Sequence, residues 1–515
     1  MKPKQKHQPA LLRLVRDADE AWQHQDYQRY FDLMQKANRL APANHGLLMD
    51  LAAACGRRYD YPAAEKYFER SVGLAPDKPE ALAMAGLHCR GFGRYEMARQ
   101  YFERAIQEKG VPAETFVKLA ELYERFRFPR EAMNLVNRAL EMDRNCALAL
   151  LVLARLDRIA GRLGPAETSL RSVLARNDAD TWSTRIRAWY ELGMVLDAQG
   201  HYDEAMRAFL QAKAMIRPNA ASLLNFQKSA QARMNEAAVE ISADTLRHWF
   251  ESGQALQPQH RLALLCGHPR SGTTLLEQML DSHPAIISAE ETPIFFQEVY
   301  LPLRRDLPES AGILSALDAA PLSLLKQLRQ TYFRALESFH ARPVGDRFLL
   351  DKNPALTGLI PAFARVFPEA KFLVALRDPR DVCLSCFMQP LPLNQVSAMF
   401  LSLDSTVVEY ASVMGLWKAI APRMQNPHLE IRYEDVVENF ESCSRRVLEF
   451  FGIPWDACVL RFNEHARQKL VRSPTYSDVM KPIFKGAIGR WRNYQKYFEP
   501  HLAALEPFVK AFGYG

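Results

Sequence analysis

Gly267-His268-Pro269-Arg270-Ser271-Gly272-Thr273-Thr274 gathers two glycines, one guanidinium and three hydroxyls into eight consecutive residues. The apolar run Leu262-Ala263-Leu264-Leu265-Cys266 before it has the length of a buried strand, and LLEQMLDSHP after it reads as a helix. Strand, glycine-containing loop and helix start together cradle phosphate, because backbone N–H groups converge there and the helix dipole favours an anion. The triphosphatase pattern G-x-x-x-x-G-K-[ST] is matched at Gly267, Gly272 and Thr274, but Thr273 stands where the Lys belongs. That Lys reaches the β- and γ-phosphates, so its loss argues against ATP or GTP hydrolysis and against an ATP-dependent kinase. The donors left are suited to a single phosphate at the helix start.

Further groups lie downstream. Lys371–Leu376 predicts a second apolar strand, leading into Arg377-Asp-Pro-Arg380-Asp381-Val-Cys-Leu-Ser385. Arg377 offers a bidentate fork to a phosphate, and Ser385, two turns into the next helix, adds a hydroxyl. A surface ion pair is the bland alternative, since RDPRD carries its own counter-charges; the loop upstream favours the ligand. Tyr433, in LEIRYED, stacks on a base or is an ordinary core aromatic. Glu290 and Glu291 are candidate bases or a pair of solvated loop carboxylates, and His283, in the turn LDSHP, is a candidate base for which a structural role is preferred.

The string PRSGTTLLEQMLDSHP, followed by Ala289-Glu290-Glu291-Thr292, is similar to sulfotransferases that use 3′-phosphoadenosine 5′-phosphosulfate (PAPS), in particular protein-tyrosine sulfotransferases. Four ordered segments between residues 261 and 515 carry the resemblance. It implies that Arg270, Ser271, Gly272, Thr273 and Thr274 hold the 5′-phosphosulfate, and that Arg377 and Ser385 bind the 3′-phosphate. It also implies that Tyr433 lies close to the adenine. Phe484-Lys485-Gly486-Ala-Ile-Gly489-Arg490-Trp491 resembles the R-K-G-x-x-G-x-W segment that closes over the nucleotide. With Phe484 in place of the usual Arg, Lys485, Gly486 and Arg490 are left to make the contact. Glu291, 21 residues after Arg270, matches the catalytic Glu, although Glu290 beside it is the alternative base. Lys352, in Leu350-Asp-Lys-Asn-Pro354, matches a Lys at the bridging oxygen or leaving group, and Arg270 stabilises the charge growing there. No metal is implied. Pro293 and Gln297 stand where tyrosine-sulfating enzymes carry Arg to hold acidic peptides, and Gln389 replaces another basic position. These departures weaken the case for an acidic tyrosine peptide and leave the donor reading intact.

A periodic first half must carry this site. Ala64, Ala98, Ala132 and Ala166 recur every 34 residues, each followed four residues later by Phe68, Phe102, Val136 or Leu170. Small and large residues at that spacing share one helix face, so a neighbouring helix approaches closely at the Ala. Trp189-x-x-Leu192-Gly193 with Ala205, Phe209, Ala212 and Pro218 is the clearest copy. The pattern resembles the tetratricopeptide repeat, with about six helix–turn–helix units stacked into a solenoid. Such arrays imply a protein or peptide partner. The expected fold is therefore an all-helical solenoid over residues 10–218, a helical cap or linker over 219–260, and a P-loop-like α/β domain with a parallel sheet over 261–515.

Composition sets the outer limits. With 48% hydrophobic and 24% charged residues, wholesale disorder is excluded. The net charge of +7 is too mild to argue for nucleic acid. No run approaches the roughly 18 apolar residues of a membrane span, and the basic N-terminus lacks the apolar core of a secretory signal. Eight scattered cysteines, with Cys383 and Cys386 read as buried thiols rather than a redox pair, point to a cytoplasmic protein. The function expected is sulfonate transfer from PAPS to a hydroxyl on a protein or peptide recruited by the repeats. The rivals are a glycan, lipid or small-alcohol acceptor, and a repeat scaffold whose second half binds nucleotide without turnover.

Overall fold

Ala64, Ala98, Ala132, Ala166 and Ala205 are all essentially inaccessible, as are Phe68, Phe102, Val136, Leu170 and Phe209 four residues after each. The helices bearing them therefore pack in sequential pairs, such as His45–Arg57 with Tyr61–Leu74 and Trp182–Ala198 with Tyr202–Ile216. Twelve helices run from Gln8 to Ile216 among the described residues. Asp26, Asn44, Asp60 and Asp77 start four of them by accepting first-turn backbone N–H groups with their side chains. At Gly193 a Cβ would lie 2.5 Å from the Phe209 ring, so glycine is what lets those two helices close.

The computed structural model describes residues 8–23, 26–176, 182–305, 307–308, 312–468 and 486–515. Two compact units result: Met1–Leu156 with Glu337–Arg342, and Asp157–Leu336 with Pro343–Gly515. The last helix pair of the repeats thus belongs to the second unit. There Lys213 donates to the Phe400 carbonyl at 2.6 Å. Helix Ala221–Glu240 adds Gln227 and Gln231, which donate to buried Glu409 at 2.9 and 2.6 Å.

The second unit is built on five parallel strands: β1 (Leu262–Gly267), β2 (Ile286–Glu290), β3 (Phe348–Lys352), β4 (Lys371–Leu376) and β5 (His428–Arg432). Their order is β2-β3-β1-β4-β5. Strands β1 to β4 are almost continuously buried, as a sheet covered by helices on both faces requires. One face packs Leu276, Met279, Val447 and Phe451 against the strands. Elsewhere in the unit Phe295, Tyr332, Phe363 and Phe367 form an aromatic cluster with ring centroids 4.7 to 6.4 Å apart. Because all strands run the same way, the carboxyl ends of β1, β2, β3 and β4 open on one edge. The chain leaves β1 for β2 on one side and reaches β4 on the other, which makes the mouth of β1 the switch point where open α/β sheets bind ligands.

Candidate active site

β1 ends at Gly267, whose φ of +121° belongs to glycine, and a Cβ there would sit 2.3 Å from the Ala375 carbonyl oxygen. The loop turns through Arg270 and Gly272, both at positive φ, into helix Thr273–Asp281. Gly272, lacking a side chain, caps that helix without any side-chain hydrogen bond. Ser271, Thr273 and Thr274 are buried around it. His268 lies wholly inside beneath the loop, where burial pushes its imidazole down to about 4 and keeps it neutral.

β4 delivers the second group. Arg377 donates through Nη1 to the Arg270 carbonyl at 3.1 Å and through Nη2 to the Ala487 carbonyl, while its buried Nε has no partner. Its guanidinium lies 5.1 Å from the Tyr433 ring centroid. The Tyr433 ring in turn lies 2.7 Å from where a Cβ on Gly272 would be, so only glycine admits it beside the loop. Arg270 Nε donates to Ser385 Oγ at 2.9 Å, tying the loop to helix Pro379–Met388. Loop, Arg270, Arg377, Ser385 and Tyr433 therefore meet at one place.

Of the closing segment, Lys485 lies outside the described residues. Gly486 is exposed at the start of a turn that Asp381 holds, accepting Gly489 N–H at 2.6 Å and Trp491 N–H at 2.8 Å. Arg490 is engaged by Asp197, from repeat helix Trp182–Ala198.

The third group stands where β2 and β3 end side by side, with Glu290 in register with Lys352. Lys352 is fully buried, donates to Glu291 Oε1 at 2.6 Å and lies 3.7 Å from Glu290 Oε1. Burial works against its charge, but Glu291, Glu290 and Glu277 outweigh it and hold the ammonium above its ordinary pKa. Glu291 adopts φ +48°, a conformation costing about 1–3 kcal/mol for a non-glycine residue, and its N–H donates to the Lys352 carbonyl at 2.8 Å. The two carboxylates differ in access: the Glu291 side chain is 37% exposed and that of Glu290 only 3%. Of the two, Glu291 is the more accessible.

Two other candidates take structural places. His283 Nε2 donates to the Pro454 carbonyl at 3.0 Å and Nδ1 accepts the Ala285 N–H at 3.2 Å, which commits both ring nitrogens. Cys383 and Cys386 are buried free thiols, and burial pushes that of Cys386 up to about 12. Residues the spacing did not single out are Glu277, which accepts from Ser288 Oγ at 2.7 Å behind Lys352, and Asp197. Glu277 sits four residues after Thr273, one helical turn, and that repeat was the available signal.

Residues 263–457 match the Sulfotransferase family, and residues 56–111 and 186–216 match tetratricopeptide repeats. The chain carries a sulfotransferase-family domain behind tetratricopeptide repeats. An uncharacterized protein of Aquifex aeolicus is 26% identical over 338 residues, covering 64% of this chain and 42% of that one. The chain thus spans less than half the length of that relative. Protein-tyrosine sulfotransferase 1 of Homo sapiens is 29% identical over 308 residues, 55% of this chain and 79% of the relative. Among solved structures, the sulfotransferase domain of the Synechococcus PCC 7002 olefin synthase aligns with 49% of this chain and 96% of its own, at 20% identity and a TM-score of 0.33. Among the described residues of the sulfotransferase domain and the repeats, no helix is long and apolar enough to cross a membrane.

Proposed function

We propose that the second unit transfers a sulfonate group from PAPS to a hydroxyl of a protein or peptide acceptor, tyrosine included, brought by the repeats. The observation that carries this reading is the buried, unpartnered Nε of Arg377 beside an uncapped helix start. Both call for anionic oxygens at the mouth of β1, and the pair Lys352–Glu291 stands at the neighbouring strand ends. A bisphosphorylated nucleotide fits this donor set, with its 5′ side on Arg270, Ser271, Gly272, Thr273 and Thr274. Its 3′-phosphate fits Arg377 and Ser385 and its base Tyr433, and the sequence resemblance adds Lys485 and Gly486 as contacts.

When bound, PAPS supplies an activated sulfonate and a phosphate leaving group. In the balanced step, the acceptor O–S bond forms, the S–O bond to the 5′-phosphate breaks, and the acceptor proton passes to Glu291. The Glu291 carboxylate accepts from the buried Lys352 ammonium at 2.6 Å and is the exposed member of its pair, within reach of an acceptor hydroxyl. Lys352 and Arg270, with the loop amides, face the negative charge that grows on the leaving side. Eight free thiols accord with a reducing compartment such as the cytoplasm.

Thermal unfolding with 3′,5′-adenosine bisphosphate, and separately with Mg-ATP, tests the reading. Ligand at about 100 times its Kd should add about 2.7 kcal/mol to the unit that binds it. A rise with the bisphosphate alone is expected. A rise with Mg-ATP alone overturns the reading.

A further inference from the structure

The turn Gly486–Trp491 is held from two sides. Toward the sheet, Asp381 accepts two of its N–H groups, Arg377 donates to its Ala487 carbonyl, and Arg380 lies 4.3 Å from the centroid of Trp491. Away from the sheet the partners come from the last repeat pair. Asp197 accepts from Arg490 and from the Tyr494 hydroxyl, the latter at 2.7 Å, and its side chain is only 14% exposed. Asp203 accepts from Lys496 at 2.7 Å and from Tyr497 at 3.2 Å, and the rings of Tyr202 and Tyr494 meet edge to face at 5.5 Å. Two carboxylates 6 residues apart on the repeats thus receive four donors from residues 490–497.

We propose that the last helix pair of the repeats is a working part of the donor site, with Asp197 as its positioning residue. By holding Arg490 and Tyr494, Asp197 fixes the turn against Arg377, and so sets the affinity for the 3′-phosphate of the donor. This rests on the donor reading above and deepens it. It also gives Arg490 a different task from phosphate contact: Arg490 is the tether by which the repeats grip the turn. A charged hydrogen bond that is mostly desolvated contributes enough for its loss to be read as about a ten- to hundredfold change in Kd.

The test uses the full chain and titration calorimetry with 3′,5′-adenosine bisphosphate and with adenosine 5′-phosphate. Asp197→Asn should weaken the bisphosphate about ten- to hundredfold and the monophosphate less, because only the former uses Arg377. With PAPS as donor, KM should rise while kcat at saturation stays within about twofold, and Asp197→Glu should restore most of the affinity. Equal affinity of Asp197→Asn and the parent overturns the proposal, and tighter binding by Asp197→Asn does so by showing that Arg490, once released, contacts the nucleotide. Should Asp197→Asn unfold, Tyr494→Phe removes one hydroxyl and carries the same test: several-fold weaker bisphosphate binding is expected, and an unchanged Kd overturns the proposal. If the parent chain itself binds neither nucleotide, the donor reading fails instead.

Discussion

Helix pair Lys78–Gly91 with Tyr95–Ala105, in the first unit, and helix pair Trp182–Ala198 with Tyr202–Ile216, in the second, share one apolar plan. Each has an inaccessible Ala and, four residues on, an inaccessible Phe, Ala98 with Phe102 and Ala205 with Phe209. Each sets that ring against a glycine, Gly86 or Gly193. Their polar residues differ. In the first unit charges are matched repeat to repeat, as in Arg90 with Glu121 at 2.8 Å and Arg104 with Glu69 at 2.6 Å. In the last pair Lys213, Asp197 and Asp203 reach the Phe400 carbonyl, Arg490 and Lys496 of the sulfotransferase domain. The apolar register makes a repeat; a few polar residues on it decide whether the repeat extends the array or joins the sulfotransferase-family domain.

Four experiments would break or sharpen that contrast. The largest effect marks the chemistry itself, which neither pair touches: Glu291→Gln should lower kcat about 10²–10⁴-fold with bisphosphate affinity unchanged in calorimetry. Unaltered turnover would remove Glu291 as the base. Next, Phe102→Ala and Phe209→Ala should each cost about 3–5 kcal/mol in denaturant unfolding. Only Phe209→Ala should also weaken the bisphosphate; equal binding by the two variants would erase the distinction between the pairs. Arg377→Lys, which keeps the charge and loses the fork, should weaken the bisphosphate about tenfold or more, and adenosine 5′-phosphate hardly at all.

The smallest effect concerns Lys213, which burial pushes down to about 7. Between that value and the pKa of about 10.4 in an unfolded chain, the unfolded state keeps a proton that the folded state has released. Unfolding free energy should therefore rise with pH from about 7 toward 10, and the stabilisation should fade as pH falls through 7. Lys213→Met should flatten that slope in denaturant titrations at several pH values. A slope identical to the parent's would show that Lys213 keeps its proton inside the interface.

Much of the site was legible because its demands are local. A loop needs glycine at Gly267 and Gly272, a helix face needs Ala and Phe four apart, and a buried strand needs an apolar run; near neighbours in sequence express all three. Arg377 and Ser385 were legible for the same reason, eight residues apart across a strand end and a helix. The difference in access between Glu290 and Glu291 was not. It turns on β2 ending at Glu290, so that this side chain is enclosed while Glu291, one residue beyond, faces outward. The tie of Arg490 to Asp197 spans 293 residues and leaves no trace in either segment alone.

From residue types and spacing alone came the repeat register and a glycine loop of the phosphate-cradling kind, while the roles expected of Glu291 and Lys352 came from the family resemblance. Register and loop follow from short-range sterics and the periodicity of helix and strand. Tertiary structure alone decided which of these groups meet. The strand order β2-β3-β1-β4-β5 brings Lys352 beside Glu291, 61 residues earlier, and sets Arg377 beside the loop of β1. Packing of the last repeat pair against residues 397–401 and 490–494 brings Asp197 to Arg490. Sheet order and inter-element packing depend on how whole surfaces bury one another, a property of the assembled chain that no local stretch of it encodes.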